Sequence, residues 1–296
     1  MGINRIRTVV IPVAGRGTRL LPATKNIRKE MLPLGRKPLI QYAVEEARAS
    51  GMERVVFVCH PKAASPLDYF ERDLELEEFL REHGREEEAQ SLASLGDGLD
   101  FSVVYQEQPR GLADAIGCAR VEVGYDPFAV LLPDALIISG EGETPCLAQL
   151  MDCASQHEAP VVAVRKIRSD ETRHYGIIDI DPRWKDAHRS SVRIQSLVEK
   201  PDPEKAPSLY GIFGRYILTP EIFSVIDILS PDNSGELQIT DALCLYCSHR
   251  PIYGALFSGL HYDVGNWNGY EEADKYLCAS KFRAEDRLMT PHVLSN

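Results

Sequence analysis

Residues 10–33 read Val-Ile-Pro-Val-Ala-Gly-Arg-Gly-Thr-Arg-Leu-Leu-Pro-Ala-Thr-Lys-Asn-Ile-Arg-Lys-Glu-Met-Leu-Pro. An apolar run ends in small residues at Ala14, and Gly15, Gly17 and Thr18 follow. Glycine lets a backbone approach a ligand closely and point its N–H groups at phosphate oxygens. Arg19 adds a fixed charge with a fork of donors, and Lys29 adds a compact second charge. Lys25 reads equally as a third cation or as a solvated side chain. The segment is suited to holding a polyanion at the end of a strand. Two other phosphate loops fail on spacing. The dinucleotide fingerprint needs a third glycine where Leu20 stands, and the P-loop needs Gly-Lys-Ser/Thr at its end. A purely structural turn accounts for Gly15 and Gly17 but not for the cations beyond them.

The elements that must position this loop are short β-branched runs alternating with helical patterns. Thr8–Val13, Arg54–Cys59, Phe101–Tyr105 and Phe128–Leu132 read as strands, with a helix near Leu39–Ser50. Later strands are expected at Pro160–Ile167, Tyr175–Ile180, Arg193–Val198 and Tyr210–Leu218, and a helix at Tyr270–Leu288. Apolar strands separated by helices imply an α/β fold with a mainly parallel sheet covered on both faces. Residues from about 68 to 96, rich in Glu, Leu and Arg, read as one or two exposed helices inserted between strands. With no repeat and no low-complexity linker, residues 1–296 read as one domain, ending in a helical tail from about residue 270 to 296.

Composition narrows the function. A net charge of −11 argues against a general nucleic-acid binder, which needs a basic footprint. It leaves room for a small polyanion, which needs only a few local cations and a metal ion. There is no apolar run of transmembrane length and no basic-then-apolar leader at Met1–Thr8, so a cytoplasmic protein with no membrane partner is expected. The seven cysteines do not suggest a disulfide framework. The CxxC at Cys244 and Cys247 lacks a second pair and reads as two positions on a helix. Leu132-Pro-Asp134 closes an apolar strand, which puts Asp134 where α/β ligand sites lie, although an Asp there also serves to cap a helix.

Gly15-x-Gly-Thr-Arg-x-x-Pro22 with Lys29-Glu-Met-Leu-Pro33 resembles the start of the bacterial UTP–glucose-1-phosphate uridylyltransferases, within the wider sugar-nucleotidyltransferase family. The likeness runs through Lys37-Pro-Leu-Ile-Gln-Tyr42, Leu132-Pro-Asp134, Val198-Glu-Lys-Pro201, Gly214-Arg-Tyr216, Leu237-Gln-Ile-Thr-Asp241, Asp263-Val-Gly-Asn266 and Gly269-Tyr270. It implies a Rossmann-like nucleotidyltransferase fold with a mixed, mainly parallel sheet, UTP and glucose 1-phosphate as substrates, and a homo-oligomer, dimer or tetramer. It assigns Asp134 and Asp263 to Mg²⁺, consistent with the preference of Mg²⁺ for one or two carboxylates plus phosphate oxygens. Ala14, Gly15, Gly17 and Thr18 fall to the nucleotide, and Arg19, Lys29 and Lys200 to catalysis.

Within the same likeness, Gln108-Pro-Arg-Gly111 matches a base-reading loop, with Gln108 on the uracil edge and Gly111 letting the base lie on the backbone. A helix start with a glycine cap is the plainer reading of that loop. Glu199 and Lys200 read as a sugar and phosphate pair, or as a surface ion pair before a proline turn. Gly176 matches a glycine that lets the backbone meet the sugar. Four positions depart from the family pattern: Arg28 for Pro, Ala113 for Gly, Leu209 for Asn and Trp267 for Lys. Ala113 bears on base choice: if its side chain crowds C5 of the base, UTP wins; if it faces the helix interior, dTTP is tolerated. The rivals are the same chemistry with dTTP or another hexose 1-phosphate, and a non-catalytic regulatory paralogue.

Overall fold

The computed structural model describes residues 3, 5–184 and 190–288. Along the chain come β1 (Thr8–Pro12), the short strands β2 (Pro33–Leu34) and β3 (Lys37–Pro38), β4 (Arg54–Cys59), β5 (Asp100–Tyr105), β6 (Phe128–Leu131), β7 (Ala135–Ile138) and β8 (Val161–Lys166). Then follow β9 (Gly176–Ile180), β10 (Ser191–Glu199), β11 (Tyr210–Leu218), β12 (Tyr253–Leu256) and β13 (Leu260–Asp263). Alternation decides which way the strands face. Val9 and Ile11 of β1 join one core with Val55, Phe57, Ala129 and Leu131. Val10 joins the other with Val56, Val58, Phe128 and Val130. A strand apolar on both faces has to be covered on both faces. Helices Leu39–Ala49 and Cys146–His157 contribute to the first core, and Leu112–Cys118, Glu221–Asp227 and Ile239–Cys247 to the second.

Nine strands form one sheet in the order β5-β4-β1-β6-β11-β8-β12-β10-β9. The neighbours β5/β4, β4/β1, β1/β6 and β8/β12 run parallel. The neighbours β6/β11, β11/β8, β12/β10 and β10/β9 run antiparallel. β11 also pairs antiparallel with β9, so the sheet has four parallel and five antiparallel pairings, and the expectation of a mainly parallel one holds only for the β5–β6 half. The reason is that β9 and β10 follow one another and pair directly, which needs no crossover helix. Hydrophobicity marks a strand but not its direction. The four-residue β12, which the sequence reading passed over, lies between β8 and β10.

The segment after β4 holds three helices, Leu67–Phe70, Leu74–Glu82 and Glu86–Ala93, one more than the upper expectation. The last helix spans Trp267–Leu288; the expected tail beyond it, 289–296, lies outside the described residues. No helix among the described residues is long and apolar enough to cross a membrane.

A buried ion pair joins the two halves of the sheet to the helices beneath. Arg215 of β11 (side chain 2% exposed) gives Nη2 to Glu46 Oε2 at 2.7 Å and Nε to Glu46 Oε1 at 3.1 Å. Its Nη1 donates to the carbonyls of Leu132 and Gly214 at 3.1 and 3.2 Å. Glu46 Oε1 also accepts the backbone N–H of Leu147 in the opening turn of Cys146–His157. Removing one member leaves a buried charge unanswered, which costs about 3–5 kcal/mol. Glu46→Ala is expected to lose that much stability in urea unfolding, whereas a Glu46→Leu, Arg215→Met double variant recovers most of it.

Candidate active site

The loop after β1 turns at Gly17, whose backbone is left-handed (φ 65°) and whose carbonyl accepts Thr24 Oγ1 at 2.8 Å. The chain then doubles back, and the short helical turn Lys29–Met31 brings Lys29 under the end of β6. Lys29 Nζ donates to Asp134 Oδ2 at 2.6 Å. Arg19 reaches the same oxygen at 4.0 Å and Asp263 Oδ2 at 3.6 Å. Asp263 arrives because β13 pairs antiparallel with β7, in a register that sets Asp263 opposite Ala135. The Val264 N–H then donates to the Asp134 carbonyl at 2.9 Å.

Burial alone would push the Asp134 carboxyl up, but the charge and hydrogen bond of Lys29, with Arg19 behind it, outweigh burial and hold it below the ordinary carboxylate value. A methyl placed on Gly265 would lie 2.7 Å from Arg19 Nη2, 3.0 Å from Asp263 Oδ1 and 3.2 Å from Asp134 Oδ2. The two carboxylates and the guanidinium thus converge on one small space. No group of three or more His, Cys, Asp or Glu suited to a metal occurs among the described residues. The pair of carboxylates could hold a metal ion only together with other oxygens, such as those of phosphate and water.

Two clefts meet at Asp134. The larger, of about 570 Å³, is lined by Arg19, Gly176, Glu199, Lys200, Thr240 and Asp263 among others. Lys200 Nζ pairs with Glu199 Oε1 at 2.9 Å, and Thr240 Oγ1 donates to Glu199 Oε2 at 2.5 Å. Gly176 is required by close approach, since a Cβ there would meet Thr240 Oγ1 at 2.6 Å. The glycine therefore admits Thr240 to Glu199 first, and the floor of the cleft follows. His261 and Tyr175 complete the wall. Burial, with the charges of Arg215 and Arg165, pushes the His261 imidazole down to about 4, so it is neutral at pH 7. Burial pushes the Tyr175 hydroxyl up to about 12, so it keeps its proton. Thr240 lies within Leu237-Gln-Ile-Thr-Asp241, and no pattern in the sequence sets His261 or Tyr175 apart.

The smaller cleft, of about 240 Å³, runs from Ala14, Gly15 and Lys29 to Gln106, Pro109 and Gly111. Gln108, expected here, is exposed and lines neither cleft. Gln106 takes its place, 4% exposed. The Gln106 N–H still bonds to the Cys59 carbonyl at 2.9 Å, continuing the strand pairing, whereas Gln108 sits in the turn that follows. Gly111 has φ 97°, and a Cβ there would meet the Leu237 carbonyl oxygen at 2.6 Å. Its conformation is thus demanded by packing on Leu237.

Thr18 is exposed and lines neither cleft, and Lys25 is likewise exposed. Ala113 is fully buried in the helix-side core and lines neither cleft. Arg28 lies 3.7 Å from the buried Glu30, and Leu209 accepts the Ile167 N–H at 2.9 Å; neither lines a cleft. Trp267 donates its indole N–H to the Leu21 carbonyl at 3.3 Å, resting on the loop that carries Arg19.

Residues 8–280 match the family model described as nucleotidyl transferase. The UTP–glucose-1-phosphate uridylyltransferase YngB of Bacillus subtilis is 40% identical over 292 residues, which cover 99% of this chain and 93% of that one. A solved UDP-glucose pyrophosphorylase complexed with UDP-glucose superposes with a TM-score of 0.83 at 37% identity, covering 93% of this chain and 100% of that one. The UTP-bound enzyme from Acinetobacter baumannii gives a TM-score of 0.85 at 31% identity, covering 97% and 100%. The chain belongs to the nucleotidyl transferase family, and within it to the group of UTP–glucose-1-phosphate uridylyltransferases.

Proposed function

We propose that this chain transfers the uridylyl group of UTP to glucose 1-phosphate, giving UDP-glucose and pyrophosphate. The observation that carries the reading is the meeting of two clefts at one cation–carboxylate cluster, Arg19, Lys29, Asp134 and Asp263. The smaller cleft suits the nucleotide. Pro12, Pro109, Leu112 and Ala115 offer flat apolar walls, and Ala14, Gly15 and Lys29 lie at the phosphate end. The larger suits the sugar phosphate. Glu199, held by Thr240, accepts from hydroxyls, Lys200 faces the phosphate, and the neutral His261 adds a partner without charge.

Two polyanions have to meet, and their repulsion is the main obstacle. Arg19, Lys29 and Lys200 offset it and hold the partners in line. An oxygen of the glucose 1-phosphate phosphate forms a bond to the α-phosphorus of UTP. The bond from that phosphorus to the bridging oxygen breaks, and pyrophosphate leaves with the electron pair. The nucleophile is already an anion, so no general base is required. Positioning and electrostatic stabilisation carry the rate. Mg²⁺, held by Asp134 and Asp263, would supply further neutralisation of phosphate charge when bound. Lys29 and Arg19 lie beside these carboxylates, so cations and metal ligands share one space. A cytoplasmic homo-oligomer built on a Rossmann-like domain belongs to the same proposal.

Lys29→Ala and Arg19→Ala are each expected to lower kcat by roughly 10²–10³, the loss of about 2.7–4 kcal/mol typical of one aimed charge. Pyrophosphate release from UTP and glucose 1-phosphate measures it, and normal turnover in Lys29→Ala would remove the assignment. Asp134→Asn and Asp263→Asn should each weaken the Mg²⁺ dependence, with a double variant far from additive. Normal Mg²⁺ titrations in both single variants would discard the two-carboxylate site. Because Ala113 is buried away from the cleft, Ala113→Gly should leave the UTP-to-dTTP ratio unchanged. With the Ala113 methyl turned into the core, nothing at that position crowds C5 of the base, so dTTP is expected to be tolerated, one methyl being worth at most roughly 10–200-fold in favour of UTP. Competition between the two nucleotides decides the point, and a large change on removing the Ala113 methyl would contradict it.

A further inference from the structure

The amide of Gln106 has only one orientation that its neighbours accept. Its Nε2 donates to the Gly111 carbonyl at 3.1 Å and to Asp114 Oδ2 at 2.8 Å. An amide nitrogen carries two protons, and both are engaged here. Turning the amide over would set its oxygen against a carbonyl and a carboxylate, both acceptors only. Asp114 is itself fixed: its side chain is 12% exposed, and Arg110 Nη2 donates to Oδ1 at 2.8 Å. The other end of the amide has no such partner. Gln106 Oε1 accepts no hydrogen bond among the described residues, and it is not sealed from solvent. Since Gln106 lines the smaller cleft, a carbonyl oxygen is what it offers a ligand there.

We propose that Asp114 is a positioning residue for base choice: it locks Gln106 with its carbonyl toward the cleft, so that the site accepts a hydrogen bond from an imide N–H. Uracil and thymine present such a group at N3. Cytosine presents a lone pair at the same position, and two acceptors facing one another are repelled. The lock therefore separates UTP from CTP and is indifferent to the methyl that separates UTP from dTTP. The inference rests on reading the smaller cleft as the nucleotide pocket.

Asp114→Asn tests it, because the new amide can donate to Gln106 and so removes one of the two acceptors that forbid the turned-over orientation. Asp114→Ala is the second variant, in which Gln106 keeps only the Gly111 carbonyl as acceptor and the lock is weakened. The full-length protein is assayed with glucose 1-phosphate and Mg²⁺ against UTP and CTP, with dissociation constants from calorimetry and folding followed by circular dichroism. A site built around one hydrogen bond rejects an analogue that cannot make it by roughly 10⁴. Wild type should favour UTP on that scale. Both variants should lower the UTP-to-CTP ratio by about tenfold or more, through tighter CTP binding as well as weaker UTP binding, since tenfold corresponds to one modest hydrogen bond. If both variants fold and lose UTP and CTP activity in equal proportion, Asp114 has a structural role only and the proposal is overturned. A wild-type protein that binds neither nucleotide strikes instead at the reading of the cleft, which separates the two failures.

Discussion

The guanidinium of Arg215 is the fixed point of this molecule. A buried charge is tolerated only when its surroundings answer it fully. Here both oxygens of Glu46 and two backbone carbonyls do so. The requirement is also a geometric constraint. Arg215 stands in β11, where the all-parallel strands β5 to β6 meet the mixed remainder of the sheet. Its partners belong to a helix on one face, to its own strand, and to the turn that leads into Asp134, and Glu46 in turn holds the start of the helix Cys146–His157. The carbonyl of Leu132 is held by the guanidinium, and the Asp134 carboxylate follows directly after. The pair sits beneath the functional loop and sets its position without touching either cleft at Glu46 or Arg215.

Above that anchor, the site is organised by opposite charges that face one another. Lys29 and Arg19 face Asp134 and Asp263, and Lys200 faces Glu199. Pairing keeps the cations aimed and avoids leaving any of them desolvated and alone. It also explains how a chain of net charge −11 can accept two polyanions. The positive charges need not dominate the surface; they need to converge where the clefts meet. The smaller cleft has apolar walls at Pro12, Pro109, Leu112 and Ala115, while the larger gathers the polar side chains of Glu199, Lys200 and Thr240.

Much of this was legible in the residues. The bounds of β4 and β11 follow from apolar runs alone, and so does the helix Leu39–Ala49 to within one residue. The glycine loop and its two cations announced a polyanion site by residue type and spacing. Asp134 announced itself by closing an apolar strand. These features are local, and the forces behind them act over a few residues: side-chain alternation, turn conformation, and the charge of a side chain near a strand end.

What the sequence did not contain in readable form is everything that depends on which distant segments meet. Strand direction in the second half of the sheet was one such matter, because a β-branched run pairs either way. The meeting of Asp263 with Asp134, implied by the family resemblance but by no local pattern, was a second, and rests on the β7/β13 register. Gln106 rather than Gln108 enters the cleft because strand pairing continues one residue past β5. Ala113 turns into the core because that helix face packs on apolar neighbours. The orientation of Gln106 follows from Asp114, one helical turn beyond Arg110. The types of residue that could do the chemistry were thus determined by the sequence itself. Which of them share a cleft, and which end of an amide faces it, was decided by tertiary packing, where long-range pairing outweighs local preference.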